Sequence, residues 1–259
     1  GNIHKINSVW QTEFPGREQI TFPANSQRRR YWLDFIDWHY WSMTDFTDKV
    51  LTIIRQFFPE TETQILLGGG SENLYFGQDN TALPEIASRH KTVIHSTHAG
   101  GLEMLFMSKR ISTACRFYIV PYLSEPPGTL TPEQERWRIF HDASLGATTV
   151  FDYLDNLIAN VEVISQYQQY LRAENPVVEV ALFFPTANHR LHPNQPQQPL
   201  PNQLVEFGND FRDLIDWDLL DEQLIQAGAL KSYRVLILVE GQIIEQTTLR
   251  KLKDWVNNG

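Results

Sequence analysis

The sequence predicts an α/β fold with parallel strands, and three observations carry that expectation. Short apolar runs alternate with segments of helical period. The helices between them have the roughly 10–15-residue length of a crossover connection, which joins parallel strands with a right-handed turn. The run at 177–184 is apolar save for Glu179, as in a strand that needs partners on both faces. With 259 residues, 42% of them apolar, the chain has material for one large or two modest domains at roughly 150 residues each.

Each element has its own local reason. Residues 31–57 repeat at a helical period, with Trp32, Phe35, Ile36, Phe46, Val50, Ile53, Ile54 and Phe57 on one side; Pro59 ends this long helix, and a break is expected near Ser42. Gln64-Ile65-Leu66-Leu67 is a short strand running into Gly68-Gly69-Gly70. A helix at 83–90, a strand at 92–95 and a helix at 102–114 follow. The aromatic and β-branched run 117–123 reads as a strand closing on Ser124-Glu125-Pro126-Pro127-Gly128. Thr131-Pro132-Glu133-Gln134 opens a helix with a Thr N-cap, Pro at the first position and acidic residues in the first turn, and Gly146 stops it. A strand at 148–151 and a helix at 156–171 complete four βα units. Asn175-Pro176 marks a break, so residues 1–174 and 175–259 are expected as two units. The second holds the strand 177–184, an exposed Pro/Gln/Asn-rich loop at 192–202, helices at 204–214 and 221–227, a strand at 234–239 and a helix at 247–256.

Composition removes several function classes. There are 22 Lys+Arg against 31 Asp+Glu, a net charge of −9, which opposes general affinity for nucleic acid because phosphate binding needs a cationic face. One cysteine, Cys115, forms neither an internal disulfide nor a Cys-rich zinc site. No apolar run approaches the roughly 18 residues of a membrane span, so no membrane partner is expected, and neither is a cofactor. The chain opens on Gly1-Asn2-Ile3-His4, which reads like the interior of a longer protein; any signal peptide would lie upstream, and the expected compartment is the cytoplasm.

In parallel α/β folds functional side chains gather at the C-terminal ends of strands. Here that rule selects 68–73, 95–100, 124–128 and 152–155. Glu125 is the sharpest candidate, since Pro126, Pro127 and Gly128 fix the backbone behind it; an exposed loop carboxylate is the competing reading. His95 and His98, three apart on an extended segment, point to opposite faces, so they read as pocket or packing histidines and no metal site is expected. Gly68-Gly69-Gly70 lacks the spacing of a phosphate cradle and reads as a tight turn. Trp10 lies in a segment read as irregular, beside Phe14-Pro15-Gly16. Its indole is either a stacking platform for a sugar ring or the anchor of a loop.

These residues carry a resemblance. Ile6-Asn7-Ser8-Val9-Trp10-Gln11-Thr12-Glu13-Phe14, then Trp32-Leu33-Asp34-Phe35 and a long helix ending in Phe58-Pro59, resemble the stretch after strand 4 of glycoside hydrolase family 42, the β-galactosidase-like (β/α)8 barrels. The strand ending in Ser124-Glu125-Pro126-Pro127-Gly128 is similar to the seventh barrel strand, whose terminal Glu is the family's nucleophile. Trp137, Leu145-Gly146-Ala147 and Thr148-Thr149-Val150-Phe151-Asp152-Tyr153 resemble the following helix and eighth strand. The portion after Val177 is similar to the family's glutamine-amidotransferase-like domain, which mediates trimers.

The resemblance implies the C-terminal half of a TIM barrel, strands 5–8, followed by a smaller doubly wound α/β domain. It implies a retaining glycoside hydrolase acting on β-linked sugars, with Glu125 as nucleophile and Trp10, Glu72, Asn73, His95, His98 and Asp152 as sugar contacts. Gln11 stands where the family has Gly, and Phe151-Asp152-Tyr153 where it usually has Phe-x-Trp, so the sugar stays open. The family's acid/base, in an Asn-Glu pair ending strand 4, would fall before Gly1. Retaining chemistry needs two carboxyl groups about 5–5.5 Å apart, and this chain then offers one. A catalytically silent carbohydrate-binding or assembly protein on the same barrel is the alternative, and a metal-dependent barrel hydrolase using the histidines is the weaker third.

Overall fold

The computed structural model describes residues 2–68, 74, 76–97, 102–126, 128, 130–171, 175–191 and 202–259, with side chains of 102–105 and 202 left aside. It is an α/β structure with two parallel sheets. In the first, β1 (Gln64–Leu67), β2 (Val93–Thr97), β3 (Tyr122–Glu125) and β4 (Thr149–Val150) lie side by side in chain order. In the second, β5 (Val180–Phe183) lies between β6 (Asp218–Leu220) and β7 (Val235–Ile237).

Among the described residues the first sheet is covered on one face. Ile65, Leu67, Ile94 and Tyr122 point into a core with Leu51 of α2 (Arg29–Phe57), Leu83, Ile86 and Ala87 of α3 (Ala82–His90), and Ile111 and Cys115 of α4 (Leu102–Tyr118). The alternate residues form the open face: Leu66 is 63% exposed, and Val93, His95, Thr97, Leu123 and Glu125 are half-buried. The second sheet is covered on both. Val180 and Leu182 pack with Leu204, Val205 and Trp217, whereas Ala181 and Phe183 pack with Leu220, Leu224, Ile225 and Leu252. This explains why 180–184 is continuously apolar while the strands of the first sheet mix apolar and polar residues.

The helix α5 (Pro132–Ser144) starts as expected. Thr131 Oγ1 accepts from Gln134 N, and the Gln134 side chain accepts from Thr131 N, a reciprocal capping box. The loop before α9 (Glu222–Ala227) is closed by Asp221, whose side chain accepts from Leu224 N. Helix α8 (Asn202–Arg212) packs close on Trp217, whose indole donates to Gly208 O at 2.8 Å; a Cβ on Gly208 would meet that ring at 2.9 Å. Helices α7 (Thr186–Leu191) and α10 (Gln246–Asn257) complete the second unit.

Several sequence expectations change. The long helix α2 is unbroken, because Ser42 Oγ donates to His39 O within the helix instead of interrupting it. Its buried side is Tyr31, Leu33, Ile36, Tyr40 and Leu51, while Phe46, Ile53 and Phe57 are more than half exposed. Phe117 and Tyr118 belong to α4, not to a strand; both pack against the second sheet's core, and that tertiary contact outweighs their β propensity. Strand β6 and helix α7 were not expected at all. Trp10 ends a helix, α1 (Ile3–Trp10), rather than lying in an irregular segment. The loop 192–202 lies, save for residue 202, outside the described residues. Among the described residues no helix is long and apolar enough to cross a membrane.

The two sheets meet along α4, which is buried from 106 to 115. Its Ile111 and Cys115 serve the first sheet and its Phe106, Met107 and Ala114 the second, while its polar side chains cover the edge strand β6. Thr113 Oγ1 accepts the Leu219 N–H, Lys109 Nζ reaches Asp216 at 2.5 Å, Arg116 pairs with Asp218, and Arg110 with Asp221 at 3.2 Å. A second seam joins Arg190 of α7 to Asp37 of α2 at 2.7 Å and to Asp79 at 3.4 Å, with the guanidinium over the Tyr40 ring.

Candidate functional site

The register of β2 against β3 pairs Thr97 with Glu125 and His95 with Leu123. Side chains alternate along a strand, so His95, Thr97 and Glu125 share the open face. They touch: Thr97 Oγ1 donates to Glu125 Oε2 at 2.9 Å, and His95 Nε2 lies 2.8 Å from the same oxygen. That second approach is close but is not an aligned hydrogen bond, since Nε2 is buried without a partner in line. The other ring nitrogen, Nδ1, is 3.2 Å from Gln64 Oε1 on β1. A polar row thus crosses three strands.

Both contacts fall on Oε2, which leaves Glu125 Oε1 without a protein partner among the described residues. Glu125 keeps 21% of its side chain exposed and His95 12%, so the carboxylate is held yet reachable. Phe151 supplies the apolar wall: its ring lies 6.4 Å from His95 and edge-on to Tyr153 at 5.8 Å. A fixed carboxylate with one free oxygen beside an aromatic ring can act as a nucleophile or accept a hydroxyl proton.

The other residues chosen from sequence divide. His95 joins Glu125. Asp152 turns to the helix side: its Oδ1 accepts from Tyr153 N at 2.7 Å, its Oδ2 is buried and unpartnered, and its charge acts on Glu135. Trp10 is an anchor, for its indole donates to Asp34 Oδ2 at 2.7 Å and stacks on Tyr31 at 4.6 Å. No described contact joins it to Glu125. Glu72, Asn73 and His98 lie outside the described residues, as does most of the Gly68-Gly69-Gly70 turn. Thr97, Gln64 and Phe151 were missed. The two-residue step from His95 to Thr97 was a usable signal once β2 extended past His95.

Behind Glu125, on the covered face, lies a buried charge cluster. Arg138 of α5, with no exposed side-chain surface, donates from Nε to Glu135 Oε1 at 2.7 Å and from Nη1 to Ser124 Oγ at 2.8 Å and Asp142 Oδ2 at 3.3 Å. Ser124 in turn donates to Asp142, and burial pushes that carboxyl up to about 6 against the pull of Ser124 and Arg138.

Two cavities of about 500 Å³ lie away from this face. One is lined by Arg55, Arg89, His90 and Lys91, the other by Glu85, Tyr118, Glu222 and Glu245. In the first, Arg55 already donates to the His90, Lys91 and Thr61 carbonyls and holds chain ends together. Among the described residues no group of three or more His, Cys, Asp or Glu side chains could hold a metal ion. No protein-family model matches the chain and no curated protein matches it, so the functional reading rests on the Glu125 geometry and the motifs around it.

Proposed function

We propose that this chain is the C-terminal part of a family-42-like retaining glycoside hydrolase acting on β-linked sugars, with Glu125 as nucleophile. The observation that carries the reading is the Glu125 carboxylate at a strand's C-terminal end, with Thr97 and His95 at one oxygen and no partner for the other among the described residues. Oε1 would attack the anomeric carbon as the glycosidic oxygen leaves with a proton from an acid/base carboxyl on the completing strands; that group would then take a proton from the water that hydrolyses the glycosyl-enzyme ester and frees the Glu125 carboxylate. Phe151 offers an apolar ring beside the site for a sugar face.

The barrel half belongs to this proposal. Four parallel strands in chain order, helices on one face, an open second face and two edge strands are what strands 5–8 of a (β/α)8 barrel present. The helix after β4, α6 (Leu154–Tyr167), supports it too, because Leu154, Ile158 and Val161 are more than half exposed on what would be a packing surface. The completing strands would bring the acid/base carboxyl, and the second unit would serve as the oligomerisation domain. A catalytically silent assembly protein is the second reading, favoured by the exposed apolar side of α2, where Phe22 packs on Phe35 near Trp38.

Glu125→Gln in the complete protein is expected to abolish turnover of an aryl β-glycoside while thermal unfolding stays unchanged. Retained turnover would remove the nucleophile reading. Saccharide binding without turnover in the wild type would favour the silent protein.

A further inference from the structure

We infer that the buried Arg138–Ser124 pair is a positioning device for Glu125, acting from the opposite face of the sheet; the inference rests on the nucleophile reading of Glu125. Ser124 and Glu125 are consecutive on β3, so strand alternation sends one to the helix side and the other to the open side. Whatever fixes Ser124 therefore fixes the peptide from which the carboxylate projects.

Three connections fix it. Ser124 Oγ accepts from Arg138 Nη1 at 2.8 Å and donates to Asp142 Oδ2. Ser124 O accepts the Phe151 N–H at 2.8 Å. Arg138 Nη2 closes the loop by donating to Phe151 O at 2.7 Å. One guanidinium thus ties the end of β3 to the residue after β4, and Phe151 is also the aromatic wall of the site. Carboxylate and wall are set by the same group.

The chemistry of the group matters. Guanidinium is a planar fork of five donors, able to serve Ser124, Phe151, Glu135 and Asp142 together; a lysine ammonium cannot reach them in one plane. The cluster is also a costly way to hold a helix on a sheet. Glu135 is fully buried with Oε2 unpartnered, and buried ion pairs give little net stability compared with apolar packing. What apolar packing cannot do is grip a particular hydroxyl and a particular carbonyl. A displacement of about 1 Å at a reacting group costs on the order of 100-fold in rate, so a grip one residue away from the carboxylate has leverage on turnover.

The test is Ser124→Ala in the complete protein, which removes a hydroxyl and leaves Arg138 paired with Glu135 and Asp142. With an aryl β-glycoside, kcat is expected to fall about 10-fold with KM within about twofold, since the substrate contacts stay while the attacking group loosens. Amide hydrogen exchange at Phe151 is expected to accelerate while that at Ile65 and Ile94 in the core does not, which separates local release from general destabilisation. If the wild type turns over and Ser124→Ala has an unchanged kcat, the positioning role is overturned and the nucleophile reading stays intact. If the wild type shows no turnover, the nucleophile reading fails and with it the catalytic purpose of the pair. Phe151 exchange then decides whether the clamp exists at all, and unchanged exchange in Ser124→Ala would overturn that as well.

Discussion

Ile119 follows the last turn of α4 with φ at 58°, in the left-handed region, and is 90% exposed. The cap is otherwise regular, since Val120 N donates back to Cys115 O at 2.8 Å. Gln11 and Lys91 end α1 and α3 in the same conformation, but only Ile119 is β-branched, and its side chain gains no burial in return. Left-handed backbone costs an L-residue roughly 1–2 kcal/mol. Ile119→Gly is therefore expected to stabilise the protein by about 1 kcal/mol after the added freedom of the unfolded glycine is subtracted, read as a higher urea midpoint. An equal or lower midpoint would mean that the cap stores no strain. At this scale the sequence singled out Glu125 as a candidate because its Pro-Pro-Gly flank is contiguous. It did not show Thr97 or Gln64, whose roles depend on register between strands and are written nowhere in one segment.

Helix α4 shows the same divide between local and distant information. Its apolar spacing predicted a helix, yet most of its meaning lies in what its polar side meets. Burial draws the Lys109 ammonium below the usual lysine range, against the opposing pull of Asp218 and Asp216. Asp218 also pairs with Arg116 and accepts the Tyr233 hydroxyl at 2.9 Å. Asp218→Asn leaves two cations beside β6 with less counter-charge, and the expected loss is about 3–5 kcal/mol. Urea unfolding measures it, and a change under about 1 kcal/mol would show that α4 does not depend on this acid. Elements with complete local signals were legible: α5 through its capping box, and α9 through Asp221 and the Gly228 cap at φ 97°. Strand β6 was not, because three residues carry no period. The 117–118 dipeptide reads as strand in isolation and becomes helix only when the second sheet's core receives it.

For the molecule as a whole, the seam around Asp79 decides how the two units respond to acid. Burial alone would raise the Asp79 carboxyl. The Arg190 guanidinium and the Ala82 and Thr81 N–H groups outweigh it and hold the group below the usual carboxylate range. Its charge therefore stabilises the fold above about pH 4, where the unfolded group is ionised, and that contribution is lost as pH falls below this range. Asp79→Asn is expected to lower the urea midpoint clearly at pH 7, with the gap to wild type closing toward pH 3. A gap independent of pH would mean that the seam is held by shape and not by charge. The side of the first sheet that its helices cover, by contrast, depends on how distant segments pack and is written in no single strand.

Helix α4 also limits how the protein can be shortened. The sequence break near Asn175 invites expression of residues 1–174 alone, but that piece would carry Lys109, Arg110 and Arg116 with their acids, Asp216, Asp218 and Asp221, removed. A cationic stripe now sealed inside would become an outer wall, on a chain whose overall charge is negative. Anyone trimming the protein to its first sheet would have to redesign that stripe as surface, or keep residues 216–221 as its cover.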